Sequence, residues 1–408
     1  MVIFAKHNAF SMKNILTIHK FIRFKLIIFL ILTLVVSCSK DPENQKIYKK
    51  AIILYMAANN NLSGYAQDNL TAIKSGFVPD ASSDQLLIIV KHLPGKDPVL
   101  VRFYKENGAV IEQTISTYVG KNSADYTTLK AALDEVHTRF KSDEYGLILW
   151  SHSTGWLPQG YYASNPAGLA PFQDPYAHLV KSSESSIAVK SFGEDRGTEM
   201  EITDLEKALN YKFSFILFDC CLSGGVETIY QLRNKADYII ASPTEILATG
   251  FPYNKIMKPL FEPESDLVET CQEYFLYYTS NNSYATISIY KLSEIESLAN
   301  ICRSIFSNHR ANIQNVNLLQ IQPYFRLNKH WFYDIDDFAK QLATPDEYLQ
   351  FSQALNRVVT HKWYTSNFLD IEIKKYSGLS TYIPKPANQF LDNFYKTLAW
   401  NQSAGMVQ

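Results

Sequence analysis

Short apolar runs alternate with amphipathic stretches from residue 50 onward, and this alternation limits the fold more than any other feature of the sequence. A run of four to eight apolar residues is typical of a strand buried on both faces. Such strands lie in parallel sheets, whose crossover helices cover both faces. The spacing is that of repeated βαβ units, so the sequence predicts an α/β fold with a mainly parallel sheet flanked by helices.

The apolar runs predict six strands, at Lys50–Ala57, Gln85–Lys91, Leu100–Tyr104, Tyr145–Ser151, Phe213–Cys220 and Tyr238–Ser242. Helices are predicted between them, notably at Tyr65–Ser75 and Asp125–Lys141. Beyond about residue 260 the pattern becomes more helical, with predicted helices at Asp266–Tyr278, Leu292–Phe306 and Asp346–Thr360 and a last strand at Leu379–Ile383. We interpret residues 50–260 as a core and residues 261–408 as a more helical accessory region of the same unit.

The N-terminus has the pattern of a targeting segment. Basic residues between Lys13 and Lys25 precede an apolar run, Leu26–Val36, which is followed by small Ser37 and Cys38. Because a membrane-spanning helix needs roughly 20 apolar residues, this run is too short to span a bilayer, and residues 1–38 are predicted to be a signal peptide. Residues 39–49 are then a tether.

The end of this segment resembles a bacterial lipobox, in which the thiol of the final cysteine is acylated. Cys38 is that cysteine, so the resemblance implies an exported lipoprotein held on the outer membrane by an N-terminal lipid. The residues that follow, Ser39–Glu43, resemble an acidic tag for the cell surface, and they are equally consistent with an ordinary solvated tether. A cell-surface and a periplasmic location therefore both stay open.

Charge and cysteine content exclude two classes of partner and site. The chain has 39 basic and 40 acidic residues, a formal net charge of −1 and no block of five like charges, so nucleic acid is not an expected partner. The cysteines other than Cys38 match no zinc-binding spacing. Cys271 and Cys302 lie in apolar, helix-like stretches, and core positions are favoured over a disulfide between them.

Two adjacent cysteines follow a predicted buried strand. Cys220 and Cys221 end the run that begins at Phe213, and a turn containing Gly224 and Gly225 leads into a predicted helix. A thiol at a helix N-terminus has a lowered pKa, because the backbone N–H groups and the helix dipole stabilise the thiolate. We therefore predict a reactive thiol here, although a lone cysteine is more often a small buried residue.

One histidine has a comparable position. Among nine histidines, His152 alone leaves a buried strand into a glycine-containing turn; His92 also follows a strand but leads only to a Pro-Gly turn. The functional residues of open α/β sheets lie at the carboxyl ends of strands. Catalysis by a cysteine and a histidine would require Cys221 and His152 to come from neighbouring strands.

The segments Ser151-His152-Ser153 and Asp219-Cys220-Cys221 resemble the motifs of the clostripain family of cysteine peptidases, which belong to the caspase-like clan. Further matching segments are Ile52–Leu62, Ala236–Ser242, Thr249–Tyr253, Tyr333–Ala339 and Gly378–Pro384. The resemblance implies a caspase-like sheet and a cysteine endopeptidase acting on proteins or peptides. It makes Cys221 the nucleophile and His152 the general base, with the N–H groups of Ser153 and Cys221 binding the oxyanion.

Two positions depart from the family pattern. Ser153 replaces the usual glycine after the histidine, and Cys220 replaces the usual alanine before the nucleophile. Serine still offers its backbone N–H to an oxyanion. The alternation of side chains along a strand end points only one of the two adjacent thiols toward His152, and the family pattern selects Cys221.

The resemblance also implies a specificity. Asp219 matches the acidic residue at the base of the family's primary pocket, which would select Arg or Lys before the cleaved bond. Glu245 is a candidate for a second acidic wall. The alternative for Asp219 is that it caps the following helix.

A long stretch between the two motifs lacks periodicity, and loops of this length are usually functional. Family members are often matured by self-cleavage between the histidine and cysteine strands, and the candidate sites in the 157–200 loop are Lys181, Lys190 and Arg196. No cofactor is required for the chemistry. Calcium activates some relatives, but the Glu194–Asp195 and Asp334–Asp337 clusters match no calcium loop and are expected to be solvated acids or turns.

Two other functions are compatible with parts of the pattern. The altered residue after His152 would also suit a caspase-like surface lipoprotein that binds a peptide or glycan without cutting it. A serine hydrolase is disfavoured, because the sequence has no Gly-x-Ser-x-Gly elbow.

Overall fold

The computed structural model of the protein describes residues 46–159, 161, 192–325, 331–385 and 388–408. Its strands are β1 (Tyr48–Ala57), β2 (Gln85–His92), β3 (Val99–Glu106), β4 (Ala109–Thr117), β5 (Ser142–Trp150), β6 (Phe192–Asp195), β7 (Thr198–Met200), β8 (Phe213–Asp219), β9 (Ala236–Ala241), β10 (Thr286–Lys291), β11 (Tyr333–Asp334), β12 (Val359–Tyr364), β13 (Asn367–Phe368), β14 (Ile371–Glu372) and β15 (Ser380–Thr381).

Nine of these strands form one mixed sheet in the order β12-β10-β9-β8-β5-β1-β2-β3-β4. The five central strands, from β9 to β2, pair in parallel. The pairs at both edges, β2-β3-β4 and β9-β10-β12, are antiparallel. The described residues also form three two-stranded sheets, β6-β7, β11-β15 and β13-β14. The predicted α/β class with a caspase-like sheet is confirmed.

Helices pack on both faces of the sheet. They are α1 (Ser63–Ser75), α2 (Tyr126–Arg139), α3 (Ile202–Ala208), α4 (Val226–Gln231), α5 (Tyr253–Phe261), α6 (Leu267–Ser280), α7 (Ile295–Asn308), α8 (Ile335–Leu342), α9 (Pro345–Val358), α10 (Gln389–Tyr395) and α11 (Ala399–Ala404). Short 3-10 helices occur at Leu292–Glu294, Arg310–Asn315 and Leu318–Gln320.

Alternation along the central strands divides the apolar residues between two cores. In β1, Ile53 and Tyr55 enter one core, and Ile52 and Leu54 enter the other. All four are almost completely buried, because successive side chains of a strand point to opposite faces and both faces carry helices. The unbroken apolar runs of the sequence follow from this double burial.

The six predicted strands are all present, with ends within three residues of the prediction, and the five long predicted helices are present as well. The predicted last strand is reduced to the two residues of β15. Residues after 260 supply two strands of the main sheet, β10 and β12. In addition, the backbone nitrogen of Ser380 donates a hydrogen bond to the carbonyl oxygen of Gly224, at 3.0 Å, in the turn that follows the predicted nucleophile. The division into core and accessory region stays a prediction.

Cys271 and Cys302 are free and buried in opposite cores of the protein. Since the sheet lies between these cores, the two thiols cannot form a disulfide, and the favoured core interpretation is confirmed.

The prediction of solvated acids is wrong for four of the five residues, because Glu194, Asp195, Asp334 and Asp337 are buried. Asp195 is fully buried, and its carboxylate contacts His92 Nδ1 at 2.8 Å and accepts a hydrogen bond from the backbone of Ser123 at 2.8 Å. Asp334 is buried as the N-cap of α8. Both carboxylates lose water but gain protein donors, which makes their burial tolerable. Within the described ranges, no group of three or more His, Cys, Asp or Glu side chains could hold a metal ion.

The predicted signal peptide, Cys38 and most of the tether lie outside the described residues. Among the helices that the structure does describe, none has the length and apolar content needed to cross a membrane.

Candidate active site

The predicted histidine and cysteine follow the ends of two neighbouring strands, β5 and β8. These two strands are adjacent and parallel, and the last residue pair in their register is Trp150 with Asp219. His152 and Cys221 each follow this pair by two residues. The sheet therefore brings both motifs to the same edge, at the carboxyl ends of neighbouring central strands.

The two loops that leave these strand ends touch each other. The hydroxyl oxygens of Ser153 and Ser223 are 3.3 Å apart. Gly155 has a φ of +62°, and a Cβ atom built on it would lie only 2.3 Å from the carbonyl oxygen of Leu222. Glycine at this position therefore permits both the left-handed turn after His152 and the close approach to the turn after Cys221.

We expect Gly155→Ala to lower kcat/KM by about tenfold or more, because the added methyl group would push the histidine and cysteine loops apart. The matched control is Gly120→Ala, where φ is +68° and a Cβ atom would meet nothing within 4 Å. In both variants, an alanine at positive φ adds about 1–2 kcal/mol of backbone strain. Only the Gly155→Ala variant also adds a clash with the carbonyl oxygen of Leu222. Peptide hydrolysis and urea unfolding should be measured for both, and equal activities would contradict the proposed coupling of the loops.

The two adjacent cysteines have different environments. Cys220 is 2% exposed, and its sulfur lies 3.4 Å from the Ser223 hydroxyl, beneath the turn. Burial raises the pKa of the Cys220 thiol to about 12. Cys221 is partly exposed, so it is the more accessible of the two residues.

The predicted lowering of the Cys221 pKa is wrong for this conformation. Burial of the sulfur atom raises the pKa of Cys221, and the negative charge of Glu245 raises it further. The thiol lies against the backbone of Ile246, with Sγ 3.4 Å from the nitrogen and 3.6 Å from the oxygen. Helix α4 begins only at Val226, so the thiol is not at a helix N-terminus, and the resting sulfur is a neutral thiol.

His152 is 5% exposed, and its Nε2 atom lies 2.6 Å from Oδ1 of Asn61. Asn61 belongs to the turn that follows β1, the neighbour of β5 in the sheet. The backbone oxygen of His152 also accepts a hydrogen bond from the nitrogen of Gly193, at 3.3 Å. The histidine is thus held both through its ring and through its backbone.

Asp219 is buried at the end of β8, and its carboxylate faces the loop after β9. It accepts hydrogen bonds from Tyr253 Oη at 2.8 Å and from the backbone of Phe251 at 3.2 Å. Burial raises the pKa of Asp219 to about 6. The helix-cap interpretation is wrong, because α4 has Gly225 at its N-cap and no side-chain cap.

The remaining predicted residues lie close to these groups or outside the described ranges. Glu245 is partly exposed beside the Cys221 thiol, and Ser153 is 2% exposed with its hydroxyl accepting a hydrogen bond from Gly155 N at 3.0 Å. Arg196 has a φ of +51° in the two-residue turn between β6 and β7. Lys181 and Lys190 lie outside the described residues.

Behind the cysteine loop, the first turn of α4 buries an acidic side chain completely. Glu227 Oε1 accepts hydrogen bonds from the backbone of Tyr382 and from the hydroxyl of Tyr395, both at 2.8 Å. Burial raises the pKa of Glu227 to about 7. The folded protein therefore retains a proton that an unfolded chain would release above about pH 4.5.

We expect the free energy of unfolding to fall as pH rises from about 4.5 to 7, and Glu227→Gln to remove up to about 3 kcal/mol of this fall. The sign follows because the native state binds more protons than the unfolded state in this interval. Urea unfolding at pH 5 and pH 8 measures the difference, with the exposed Glu106→Gln as the control. An unchanged pH dependence in Glu227→Gln would contradict the assignment.

The sequence places Asn61 only within the family-like segment Ile52–Leu62, and it gives no indication that Tyr253 is a partner of Asp219. The rule that polar residues at the carboxyl ends of central strands are functional could have selected Asn61, which follows β1. No local signal could have identified Tyr253, because its partner is 34 residues earlier in the chain.

Comparison with known proteins identifies the family to which the chain belongs. The model of the clostripain family matches residues 54–170 and 178–403. Clostripain from Hathewaya histolytica is 28% identical over 247 residues, which cover 54% of this chain and 43% of the relative. The chain thus matches less than half the length of that curated relative.

Two solved structures match much more of the chain. An inactive zymogen C11 protease from Parabacteroides distasonis has a TM-score of 0.75 and 34% identity, covering 88% of this chain and 98% of that one. A secreted C11 cysteine protease from Bacteroides thetaiotaomicron, in complex with an irreversible peptide inhibitor, has a TM-score of 0.72 and 26% identity, with coverage of 88% and 99%. The family match and these related structures define the class as cysteine-type endopeptidases. The chain belongs to the clostripain family.

Proposed function

We propose that the protein hydrolyses peptide bonds after Arg or Lys through a dyad of Cys221 and His152. The observation that carries this proposal is the parallel register of β5 and β8, which puts the two residues at equivalent positions of adjacent strand ends. The partial exposure of Cys221 and the full burial of Cys220 support the choice of nucleophile.

In the proposed mechanism, the sulfur of Cys221 bonds to the scissile carbonyl carbon while the thiol proton passes to His152. The raised pKa of the thiol makes this transfer necessary, because a free thiolate is not the resting state. The N–H groups of Ser153 and Cys221 hold the oxyanion. His152 then gives the proton to the departing amine, and water hydrolyses the thioester.

Specificity would come from Asp219, with Glu245 as a second acidic wall. A buried carboxylate pairs strongly with a guanidinium or ammonium group, because little water screens the interaction. The hydroxyl of Tyr253 and the backbone of Phe251 fix its orientation.

The test is the hydrolysis of four fluorogenic peptides that differ only in the residue before the reporter, Arg, Lys, Asp or Leu. We expect cleavage after Arg and Lys alone, measured with calcium and with a chelator, since activation by calcium is also open. Preferred cleavage after Asp or Leu would contradict the proposed specificity. Absence of cleavage under all conditions would favour the alternative, a surface lipoprotein that binds a peptide or glycan.

Maturation by self-cleavage is part of the proposal, with cuts in the 157–200 loop. Among the three candidates, Arg196 is the least suited, because proteases bind extended segments and Arg196 lies in a tight turn with positive φ between paired strands. Lys181 and Lys190 remain candidates. A denaturing gel of active protein should show two fragments, and one uncut active chain would contradict self-cleavage.

We also propose that the chain is exported and anchored to the outer membrane through a lipid on Cys38. The support is the sequence pattern of residues 13–38, and the relative from Bacteroides thetaiotaomicron is described as secreted. Metabolic labelling with a fatty-acid analogue should mark the wild-type protein and spare Cys38→Ser. Equal labelling of both proteins would contradict the anchor.

A further inference from the structure

The side chain of Asn61 contacts the imidazole of the proposed base. Its Oδ1 atom lies 2.6 Å from His152 Nε2. A carbonyl oxygen only accepts hydrogen bonds, so Nε2 must carry the hydrogen. In the neutral ring, the other nitrogen, Nδ1, then carries no hydrogen.

This contact suits both protonation states of the ring. When the imidazole takes up a proton on Nδ1, Nε2 keeps its hydrogen and the contact with Asn61 is unchanged. The amide is uncharged, so it fixes the ring without strongly favouring the imidazolium, as a carboxylate would do. Asn61 can therefore orient the base before and after proton transfer.

The turn that carries Asn61 is itself held at several points. Oδ1 of the preceding Asn60 accepts a hydrogen bond from Leu62 N at 2.9 Å, and Nδ2 of Asn60 donates to Ala57 O at 3.1 Å and to Glu194 O at 2.8 Å. Asn59 Nδ2 donates to the buried carboxylate of Asp195 at 2.7 Å. Hydrogen bonds of Asn59 and Asn60 therefore hold the backbone that immediately precedes Asn61.

The same segment also holds the backbone of the base. Asp195 is fixed by His92 and Ser123, and two residues earlier Gly193 donates to His152 O. The β6 strand is therefore bonded both to the turn that carries Asn61 and to His152. This shared support keeps the amide and the imidazole in a fixed relation.

We propose that Asn61 is a positioning residue that sets the tautomer and the orientation of the His152 ring. The proposal rests on the Cys221–His152 dyad proposed above. It assigns Asn61 no contact with the substrate. Its loss should affect the rate of the chemical step more than substrate affinity.

The test compares kcat, KM and the pH profile of kcat/KM for wild type, Asn61→Ala and Asn61→Asp on an Arg peptide. We expect Asn61→Ala to lower kcat by about 10- to 100-fold with KM changed less than about twofold, because the ring loses its orientation. Asn61→Asp keeps the acceptor and should recover most of kcat. Its carboxylate favours the imidazolium and so raises the pKa of the imidazole. The part of the pH profile that follows the titration of the imidazole should therefore move to higher pH by about one unit.

Two controls separate the possible failures. Asn210→Ala removes another hydrogen bond from an exposed asparagine to a side chain, Asp134, at 2.6 Å, and should leave the kinetics unchanged. His152→Ala should be inactive; retained activity in that variant would overturn the dyad itself. With His152→Ala inactive, a wild-type kcat and pH profile in Asn61→Ala would overturn the role of Asn61. Failure of Asn61→Asp to recover activity would overturn it as well.

Discussion

Replacing Cys221 with alanine is expected to abolish peptide hydrolysis, with a loss of about 10⁴-fold or more in kcat/KM. The sulfur forms the covalent intermediate, and no other described thiol is placed to replace it. Cys220 is buried beneath Ser223, and Cys271 and Cys302 lie inside the two cores. The measurement is kcat/KM on the Arg peptide with protein of verified folding.

Cys220→Ala is the matched control, because it removes the neighbouring sulfur from the same turn. We expect its activity to stay within about threefold of wild type and its stability to fall by about 1 kcal/mol, since a buried group of methyl size is lost. The reverse result, with Cys221→Ala active and Cys220→Ala inactive, would make Cys220 the nucleophile. It would also contradict the family pattern and the difference in burial.

Replacing Asp219 with asparagine is expected to lower kcat/KM for Arg and Lys peptides by about 10²- to 10⁴-fold. The substrate cation would lose a buried carboxylate, and breaking a buried charge pair costs about 3–5 kcal/mol. The variant keeps the size of the side chain and an acceptor for Tyr253. The exposed Asp143→Asn is the control.

The pH profile adds a second measurement on the same residue. Because burial raises the pKa of Asp219 to about 6, kcat/KM for Arg peptides should fall as pH drops below about 6, when the carboxyl becomes neutral. If the Asp219→Asn variant still prefers Arg peptides, Glu245 rather than Asp219 would be the residue that determines the specificity. Glu245→Gln should then show the loss.

The centre of the fold could be predicted from sequence because buried parallel strands leave unbroken apolar runs. The positions of His152 and Cys221 followed from the same runs, since each residue comes directly after one. The edge strands have a weaker apolar pattern in the sequence. In β4, Ala109–Thr117, every residue is exposed or only partly buried, so its position depends on pairing with β3 rather than on a pattern of its own.

The details of the site depend on contacts between residues far apart in the chain. Asp195 looks like a turn acid in the sequence, yet pairing with His92, more than 100 residues earlier, makes its burial tolerable. The pKa of Cys221 is raised first by burial and then by the charge of Glu245, and the helix that was expected to lower it begins only at Val226. No local pattern reports such contacts.

The most direct test of the proposed peptidase is labelling with an Arg-terminated peptide that carries a thiol-reactive acyloxymethyl ketone, followed by mass spectrometry of the adduct. We predict one adduct per chain, located on Cys221, with little labelling by a matched Leu-terminated peptide or in His152→Ala. An adduct on Cys220, equal labelling by both peptides, or no adduct in the wild-type protein would contradict the proposed nucleophile, its specificity or its activity, respectively.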